Sequence, residues 1–450
     1  MQENKTTFLN TVLKLAVPVA LQSMLQSSFS LIDQIMIGQL GSTSIAGVGF
    51  AGKFSSIYNV VIAAIGAVAG IMISQYMGQK NRRAIRRGFV LNSSIGVALA
   101  VLFFIMCVIA PGKIMGLYTL DLETRQVASE YLKIISLTFI PVAGTTMLST
   151  LFRCMENATL PLIASIAAAL ANTGLNYVFI FGKIGIKPMG PKGVAIATVI
   201  AQIVNFLIMF VAYIKCDKPF GKDDKSEFFE EGFGMSQYVR ILMPMLVCEF
   251  MWSLGENAYA IIYGRIGTKS SAAMTLINPI QGLMIGALCG LSQAASIIIG
   301  KSLGKKKYDE AYTASKKLLL YGLIGSVFLS IVIILIRPLY VNIYNVEEEV
   351  KNMTKSILLA YAIIAPFKVE NMILGSGILR SGGETKYVMI IDLLGTWLVG
   401  VPAGFLAAFI MKLPIQYVYF ILSLEECVRF VISCSVLINK KWMATLEARE

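Results

Sequence analysis

Residues 54–79 have the sequence FSSIYNVVIAAIGAVAGIMISQYMGQ and carry no charged side chain over 26 positions. The next eight residues, KNRRAIRR at 80–87, include five Lys or Arg. A helix needs about 20 mostly apolar residues to cross the hydrocarbon core of a bilayer, and Lys and Arg collect in loops on the cytoplasmic side. The stretch therefore predicts a transmembrane helix that ends at a cytoplasmic loop.

The composition of the whole chain extends this prediction beyond one segment. Of the 450 residues, 56% are hydrophobic and only 14% are charged, and the mean hydropathy is +0.72. A soluble domain carries about 25% charged residues, so this chain has too few charges to cover a water-exposed surface. Its long apolar runs also differ from the short alternating strands of a membrane β-barrel. We therefore predict an integral membrane protein built from helices.

Twelve apolar segments of suitable length follow one another along the chain. They lie near residues 11–38, 45–77, 88–110, 128–152, 158–182, 192–214, 238–264, 271–300, 315–337, 352–378, 386–411 and 415–437. Because each segment is long enough for one crossing, the predicted fold class is all-α integral membrane, with twelve transmembrane helices.

A long hydrophilic stretch, residues 216–237, lies between the sixth and seventh segments. It predicts three parts: an N-terminal lobe of six helices at residues 1–215, a cytoplasmic linker at 216–237, and a C-terminal lobe of six helices at 238–450.

The basic loops set the expected orientation in the membrane. If the N-terminus is cytoplasmic, the loops 79–87, 301–317 and 379–386 lie on that side, and these loops are rich in Lys and Arg. Positive charge in short loops marks the cytoplasmic face, so both termini are expected there. The first residues, MQENKTTFLN, lack the pattern of a signal peptide, and none is expected.

The two lobes have related sequences. A shift of 226 residues places Pro18 on Pro244 and Gly78 on Gly304. With six helices in each copy, both copies cross the membrane in the same direction, which is the arrangement of parallel transporter repeats. The sequence therefore predicts two pseudo-symmetric lobes, a site in the cleft between them, and alternating access.

Catalytic motifs are missing from the sequence. It contains no histidine, and its seven cysteines form no CxxC pair. This removes Ser-His-Asp and Cys-His catalysis and His-ligated metal sites, and no P-loop or GxSxG motif is found. We predict that the chain is not an enzyme, uses no cofactor and binds no nucleic acid. We attribute its net charge of +13 to the cytoplasmic loops.

Polar residues inside the first and fifth segments form a candidate cation site. An ionisable side chain within a membrane is costly and indicates function. Gln26 and Asp33 share one face of the first helix, and Asn172 and Asn176 share one face of the fifth. Oxygens of Asp33, Asn172 and Asn176 could hold a sodium ion, or burial could hold a proton on Asp33. The alternative for the asparagines is hydrogen bonding between helices.

Acidic residues in the C-terminal lobe form a candidate substrate surface. Glu249, Trp252 and Glu256 share a face of the seventh helix, where charge and cation–π contact could bind an organic cation. Glu370 and Asp392 are further acids in the tenth and eleventh segments. Glu256 could instead be solvated near a helix end. Two other charges, Glu425 and Arg429, are four residues apart and are predicted to form an ion pair.

Five motifs in order resemble the multidrug and toxic compound extrusion (MATE) family, in its prokaryotic branches. They are LIDQIMIGQLG (31–41), NTGLNYVFIFG (172–182), KGVAIATVIAQ (192–202), CEFMWSLGENAYAIIYGRIG (248–267) and GILRSGGETKYVMIIDLLGTWLVGVP (377–402). The resemblance covers essentially the whole chain. It implies a two-lobe, twelve-helix fold and efflux of amphipathic, often cationic compounds by antiport with sodium ions or protons.

The resemblance also implies roles for single residues. Asp33 matches the acid of the first helix, Asn172 a polar residue of the fifth, and Thr198 a threonine of the sixth near the cation site. Asn176 stands where the family carries a second acid. In the C-terminal lobe, the resemblance implies that the family's acids correspond to Glu249, Glu370 and Asp392.

The sequence therefore predicts a secondary-active efflux transporter in a bacterial cytoplasmic membrane. Its partners would be small organic cations, amphipathic drugs and membrane lipids, and it would act as a monomer. The nearest alternative is a lipid-linked oligosaccharide flippase of the same superfamily, which would be expected to have a basic central cavity. A membrane enzyme or a passive channel fits the sequence less well.

Overall fold

The computed structural model describes residues 2–38, 42–119, 121–182, 185, 187–216, 235–344 and 346–446. Every regular element within these ranges is a helix, and they contain no strand. The linker predicted at residues 216–237 lies almost wholly outside the described residues, so the domain boundary there stays a prediction.

The helices of the first half follow the predicted segments closely. They are α1 (Gln2–Gly38), α2 (Ser42–Gln79), α3 (Arg82–Ile109), α4 (Pro111–Gly116), α5 (Leu122–Ile135), α6 (Phe139–Cys154), α7 (Thr159–Phe181) and α8 (Pro191–Lys215). A short 3₁₀ turn joins α5 to α6, so that they form one long helical stretch.

The helices of the second half contain three π-helical stretches. The α-helices are α9 (Met235–Ile266), α10 (Thr268–Gly304), α11 (Tyr308–Asn342), α12 (Glu348–Met372), α13 (Thr385–Leu393), α14 (Val401–Phe405), α15 (Ile415–Ser423) and α16 (Glu425–Ile438). The π-helical stretches are Ile373–Ile378, Leu394–Gly400 and Leu406–Ile410. Such widened turns occur often at functional sites.

In the described part of the chain, eleven helical stretches are long and apolar enough to cross a membrane. The twelfth predicted segment, 415–437, consists of α15 and α16, which meet at Leu424. Each is too short to cross alone, but together they cover residues 415–438, which is enough for one crossing. The tenth stretch runs on to Gly382. Residues 379–382 were predicted to begin a loop, and the structure corrects this because they extend the tenth helix.

The chain separates into two compact units. The C-terminal unit comprises Met1–Ala20, Ser74–Gln79 and Phe233–Glu450, and the N-terminal unit comprises Leu21–Ile73 and Lys80–Gly232. The first part of α1 and the last turn of α2 therefore pack with the second half of the chain.

The core of the N-terminal unit is formed by α2, α3, α5, α6, α7 and α8. At its centre, the Tyr58 ring stacks on Phe139 with the ring centroids 4.3 Å apart. The Tyr58 hydroxyl donates to the Phe139 carbonyl oxygen at 2.6 Å. Both side chains are buried, so this pair fixes α2 against α6 with apolar contact and a satisfied hydrogen bond.

The end of α2 crosses the end of α10 at two glycines within the C-terminal unit. A Cβ at Gly78 would overlap the carbonyl oxygen of Lys301, and a Cβ at Gly304 would overlap that of Gln75. The two contacts are reciprocal, because Gly78 and Gly304 are 226 residues apart, as are Gln75 and Lys301, which is the offset of the sequence repeat. The repeat therefore brings its own equivalent positions into contact, and only glycine permits so close an approach of two backbones.

A segment after α16 packs against this crossing. Gln75 is fully buried, and its side chain donates to the carbonyl oxygen of Ser381 at 2.7 Å and accepts from the backbone N–H of Leu446 at 3.0 Å. Trp442 is also fully buried and donates to the carbonyl oxygen of Leu437. One buried glutamine thus joins α2, the end of the tenth helix and the segment at residues 442–446.

Candidate functional site

The cluster predicted around Asp33 forms within the N-terminal unit. Asp33 lies on α1, Asn172 and Asn176 lie on α7, and Thr198 lies on α8, which packs along α7. The two asparagines are one helical turn apart, so both reach the same neighbour. Asp33 and Thr198 are half-buried, whereas Asn172 and Asn176 are buried. The helices therefore bring together four of the five residues predicted to bind the coupling ion.

Asn176 provides the direct link to the carboxylate. Its Nδ2 donates to Asp33 Oδ1 at 2.9 Å. Its own Oδ1 is buried and accepts no hydrogen bond from any described residue. A buried polar atom without a partner is costly and needs an explanation. An amide oxygen in this state, next to a carboxylate, suits a hard cation such as sodium.

Asn172 can present either end of its amide to Asp33. In one orientation its nitrogen donates to Thr198 Oγ1 at 3.3 Å, and its oxygen accepts from Asn176 Nδ2 at 3.2 Å. In the other its nitrogen donates to the two Asp33 carboxylate oxygens, at 3.0 and 2.9 Å, and its oxygen accepts from the Thr198 hydroxyl at 3.3 Å. The first orientation places an oxygen, and the second an NH₂ group, against the carboxylate.

Gln26 does not join this cluster. Its side chain is exposed, and within the described residues it makes no hydrogen bond to Asp33 or to the asparagines. Gln22, on the same helix, donates to Ser165 at 2.7 Å and accepts from Arg153 at 2.8 Å. Sequence analysis missed Tyr131, a buried residue of α5 that lies within electrostatic range of Asp33.

In the C-terminal unit, two of the predicted substrate-binding acids are paired with arginine. Arg380 Nη1 lies 3.1 Å from Glu249 Oε1, and Arg380 Nη2 donates to Cys248 Sγ at 3.3 Å. The Cys248 thiol donates to Asp392 Oδ2 at 2.8 Å. Glu249 and Asp392 therefore belong to a bonded chain that runs through Cys248 and Arg380.

Arg429 is shared by three carboxylates. It lies 3.5 Å from Glu425, which confirms the predicted ion pair, and 3.9 Å from both Glu426 and Asp392. It also donates to the Thr396 hydroxyl. Thr396 lies in a π-helical stretch that includes Gly395, where a Cβ would overlap the guanidinium group. The widened turn and the missing side chain make room for a buried cation.

A cavity of about 300 Å³ lies within the C-terminal unit next to this network. Its volume is at the lower end of the range for small-molecule sites. Its walls include four tyrosines, three glutamates and a lysine, namely Tyr259, Tyr263, Tyr361, Tyr419, Glu256, Glu425, Glu426 and Lys368.

The remaining predicted substrate residues lie in different surroundings. Glu256 is exposed and lines the cavity, whereas Trp252 is 47% exposed and is absent from its walls. Glu370 is 4% exposed and packs against α11, where a Cβ at Gly322 would lie 2.7 Å from Glu370 Oε1. The structure therefore brings Glu256, but not Trp252 or Glu370, to the cavity.

Sequence analysis missed the part that Arg380 and Lys368 play in this unit. The residues 379–386 were assigned to a basic loop, but Arg380 is 9% exposed and ion-paired inside the tenth helix. Lys368, in the tenth predicted segment, was given no role. A signal for both was present, because a basic residue inside or beside an apolar segment needs an acidic partner.

Within the described residues, no group of three His, Cys, Asp or Glu side chains could hold a metal ion. Asp33 is the one carboxylate of its cluster, and its neighbours offer amide and hydroxyl oxygens. Such a donor set fits a weakly bound, exchangeable monovalent cation better than a resident divalent metal.

Comparison with known proteins identifies relatives over most of the chain. The MatE family model matches residues 18–178 and 244–406, and the two matches begin 226 residues apart. A probable multidrug resistance protein NorM of Haemophilus ducreyi is 24% identical over 404 residues, which cover 88% of this chain and 85% of that protein. The probable NorM of Bacillus subtilis is 21% identical and covers 90% and 89%.

The fold is found in solved structures as well. A crystal structure of a Vibrio cholerae MATE transporter aligns with a TM-score of 0.87 at 17% identity, covering 97% of this chain and 99% of that one. At this identity the likeness concerns the fold alone. It confirms the fold class predicted from the sequence, an all-α membrane protein with twelve transmembrane helices.

Proposed function

The chain belongs to the MatE family of membrane transporters, and on that premise we propose that it is a secondary-active multidrug efflux transporter. It exports small amphipathic compounds, many of them cationic, in exchange for sodium ions or protons. The names of its NorM relatives support the substrate class. We place it in the bacterial cytoplasmic membrane with both termini in the cytoplasm, because its basic loops lie on that side of the predicted topology.

The proposal for ion coupling rests on the Asp33 cluster. A carboxylate inside a membrane protein is stabilised by a cation or by a proton, and no Lys or Arg is ion-paired with Asp33 among the described residues. Asn176 Oδ1 is buried and accepts no hydrogen bond from the part of the chain that the structure describes, so it supplies one further ligand oxygen. Asn172 and Thr198 complete a shell of neutral oxygens around the single charge.

The two orientations of Asn172 connect ion binding to helix packing. With Asp33 ionised and no ion bound, Asn172 turns its NH₂ group to both carboxylate oxygens. With sodium bound, or with Asp33 protonated, it turns its oxygen to the carboxylate and donates to Thr198 instead. The exchange alters the hydrogen bonds that join α1, α7 and α8. The ion can therefore favour one of two conformations if it binds them with different affinity.

In the C-terminal unit we propose that Glu256 is the first contact of a cationic substrate. It lines the cavity and has no ion pair within the described residues. Glu249 is paired with Arg380, and Asp392 lies near Arg429. These two acids therefore act on a substrate through their electrostatic field more than by direct contact. Trp252 is exposed on α9, the helix that also carries Glu249 and Glu256, and can add a cation–π contact. Glu370 is assigned to packing against α11.

The test of coupling is the variant Asp33→Asn in reconstituted vesicles. We expect it to abolish uphill export of a fluorescent organic cation driven by a sodium or proton gradient. Folding should survive, because the amide is nearly isosteric with the carboxylate and removes a charge from within a membrane helix. The matched control is Glu130→Gln, which removes a carboxylate from the same unit, where Glu130 forms an exposed ion pair with Lys192 at 3.2 Å.

Comparison of the two variants distinguishes loss of ion coupling from loss of stability. Export should stay normal in Glu130→Gln and fail in Asp33→Asn, while the two variants unfold at similar temperatures. Normal uphill export by Asp33→Asn would show that coupling resides elsewhere. Export by the wild-type protein, measured once with only a sodium gradient and once with only a proton gradient, identifies the coupling ion.

A further inference from the structure

In and around the cavity of the C-terminal unit, the carboxyl groups outnumber the arginine that pairs with them. Three glutamates line it, namely Glu256, Glu425 and Glu426. The nearest guanidinium, Arg429, is shared between Glu425, Glu426 and also Asp392 at distances of 3.5 to 3.9 Å. One cation cannot neutralise three carboxylates, and Glu256 remains in addition.

Neutral groups already satisfy part of this network. The Tyr259 hydroxyl donates to Glu425 Oε2 at 2.5 Å, and Asn371 donates to Glu426 Oε2 at 2.8 Å. These hydrogen bonds satisfy one oxygen of each carboxyl group without adding a positive charge. Among the described residues, Arg429 is the one cation within ion-pair distance of these two glutamates, and a second positive charge nearby would stabilise them.

Lys368 supplies that charge from the cavity wall. It is half-buried, and the groups that act on it electrostatically include Glu426, Glu256 and Glu425. Within the described residues, it forms no ion pair shorter than 4.0 Å. Its ammonium group therefore balances the charge of several carboxyl groups in the cavity and is not paired with a single one. A flexible four-carbon stem allows such a shared position.

A hydroxyl group in the cavity wall is also available to a cation. Tyr361 is 1% exposed and lines the cavity, and its hydroxyl is buried without a hydrogen bond to any described residue. A phenolic oxygen in that state can accept from an ammonium group or coordinate a small cation. The cavity thus has carboxylates, an unused phenolic oxygen and aromatic faces, which together suit a monovalent cation.

We propose that the Lys368 ammonium group is the resident cation of this cavity, and that it excludes dissolved sodium ions from it. The cavity is then a cation site that is already occupied by a side chain of the protein itself. The C-terminal unit carries its own counter-charge, in contrast to the Asp33 cluster. This inference rests on the cavity and does not depend on the proposed coupling role of Asp33.

The prediction is that removal of the lysine charge opens the site. We would measure binding of radioactive sodium to purified protein in the Asp33→Asn background, which removes any contribution from the N-terminal unit. Asp33→Asn alone should bind none. Asp33→Asn with Lys368→Met should bind about one sodium ion per chain, and tetramethylammonium should displace it. Addition of Glu256→Gln should weaken that binding at least several-fold, and Lys368→Arg should bind none.

Two results would overturn the inference. One is sodium binding by Asp33→Asn that Glu256→Gln removes, because the lysine would then not exclude the ion. The other is no gain of binding in the Lys368→Met or Lys368→Gln variants. Thermal unfolding gives a second measurement if the variants are destabilised. Sodium should then raise the unfolding temperature of Lys368→Met and leave that of Lys368→Arg unchanged, and an equal response of the two variants would contradict the proposal.

Discussion

In the N-terminal unit a single carboxylate, Asp33, is surrounded by two amides and a hydroxyl group. In the C-terminal unit three carboxylates surround the guanidinium group of Arg429, and a lysine lies in the adjoining cavity. Both arrangements place negative charge inside a membrane protein, where an uncompensated charge is costly. The first leaves the compensating charge to be supplied from solution, whereas the second supplies it from the chain. The difference suggests that an ion can regulate the first cluster but not the second.

The largest expected effect follows from removing the built-in cation. Arg429→Met leaves Asp392, Glu425 and Glu426 without their shared partner, and breaking a buried ion pair from one side costs about 3–5 kcal/mol. We expect a correspondingly large fall in the unfolding temperature, measured in detergent. Asp33→Asn should produce a far smaller change. If the two variants lost equal stability, the two clusters would not differ in the way described.

Arg429→Lys serves as the matched control for that comparison. It keeps the positive charge and loses only the planar guanidinium group, which contacts several carboxylates at once. Its unfolding temperature should lie between those of the wild type and Arg429→Met. A lysine variant as unstable as the methionine variant would show that shape, not charge, is required at this position.

A smaller effect is expected from adding charge to the N-terminal cluster. Asn176→Asp places a second carboxylate beside Asp33, and two acids attract a cation more strongly than one. We expect the apparent affinity for the coupling ion to rise about tenfold, which corresponds to about 1.4 kcal/mol. The measurement is the ion concentration that half-activates export.

The control adds the same charge elsewhere on a buried helix face. Asn205 lies on α8 and is buried in the same unit, seven residues from Thr198. Asn205→Asp should leave the half-activating ion concentration unchanged. A similar rise for both variants would mean that the ion responds to the overall field of the unit and not to a coordinated site.

The smallest effect concerns a single hydroxyl group. Thr198→Val keeps the shape of the side chain and removes the partner that Asn172 uses in both of its orientations. Loss of one hydrogen bond is worth about 1 kcal/mol, so we expect roughly a fivefold change in the half-activating ion concentration. Thr173→Val is the control, since the buried Thr173 hydroxyl has no hydrogen-bond partner among the described residues. Its removal should have no effect on ion activation.

These clusters also show how far the sequence alone can lead. Asp33, Asn172, Asn176 and Thr198 were predicted together, and the helices bring them together, because a one-turn spacing and the family motifs identify positions within a helix. Gln26 shows the limit of that argument. It shares a face with Asp33 but lies seven residues away, about 10.5 Å along the axis, and helical periodicity gives no information on depth.

The C-terminal network was harder to predict, because its bonds join residues that are far apart in sequence. Arg380 pairs with Glu249 across 131 positions, and no local rule connects them. The Glu425–Arg429 pair was predicted, since four residues make one helical turn. The break at Leu424 was not predicted, because the 23 residues of that segment include no proline or glycine that would mark it.

Gln75 has a consequence for the biosynthesis of the protein. Its amide oxygen accepts from the backbone of a residue 371 positions later in the chain. Translation proceeds at about 5–20 residues per second, so roughly 20–75 s separate the synthesis of the two groups. During that interval α2 enters the membrane with a polar side chain that lacks its final partner. A defect in residues 442–446 should therefore leave membrane insertion intact and shorten the lifetime of the finished protein in the cell.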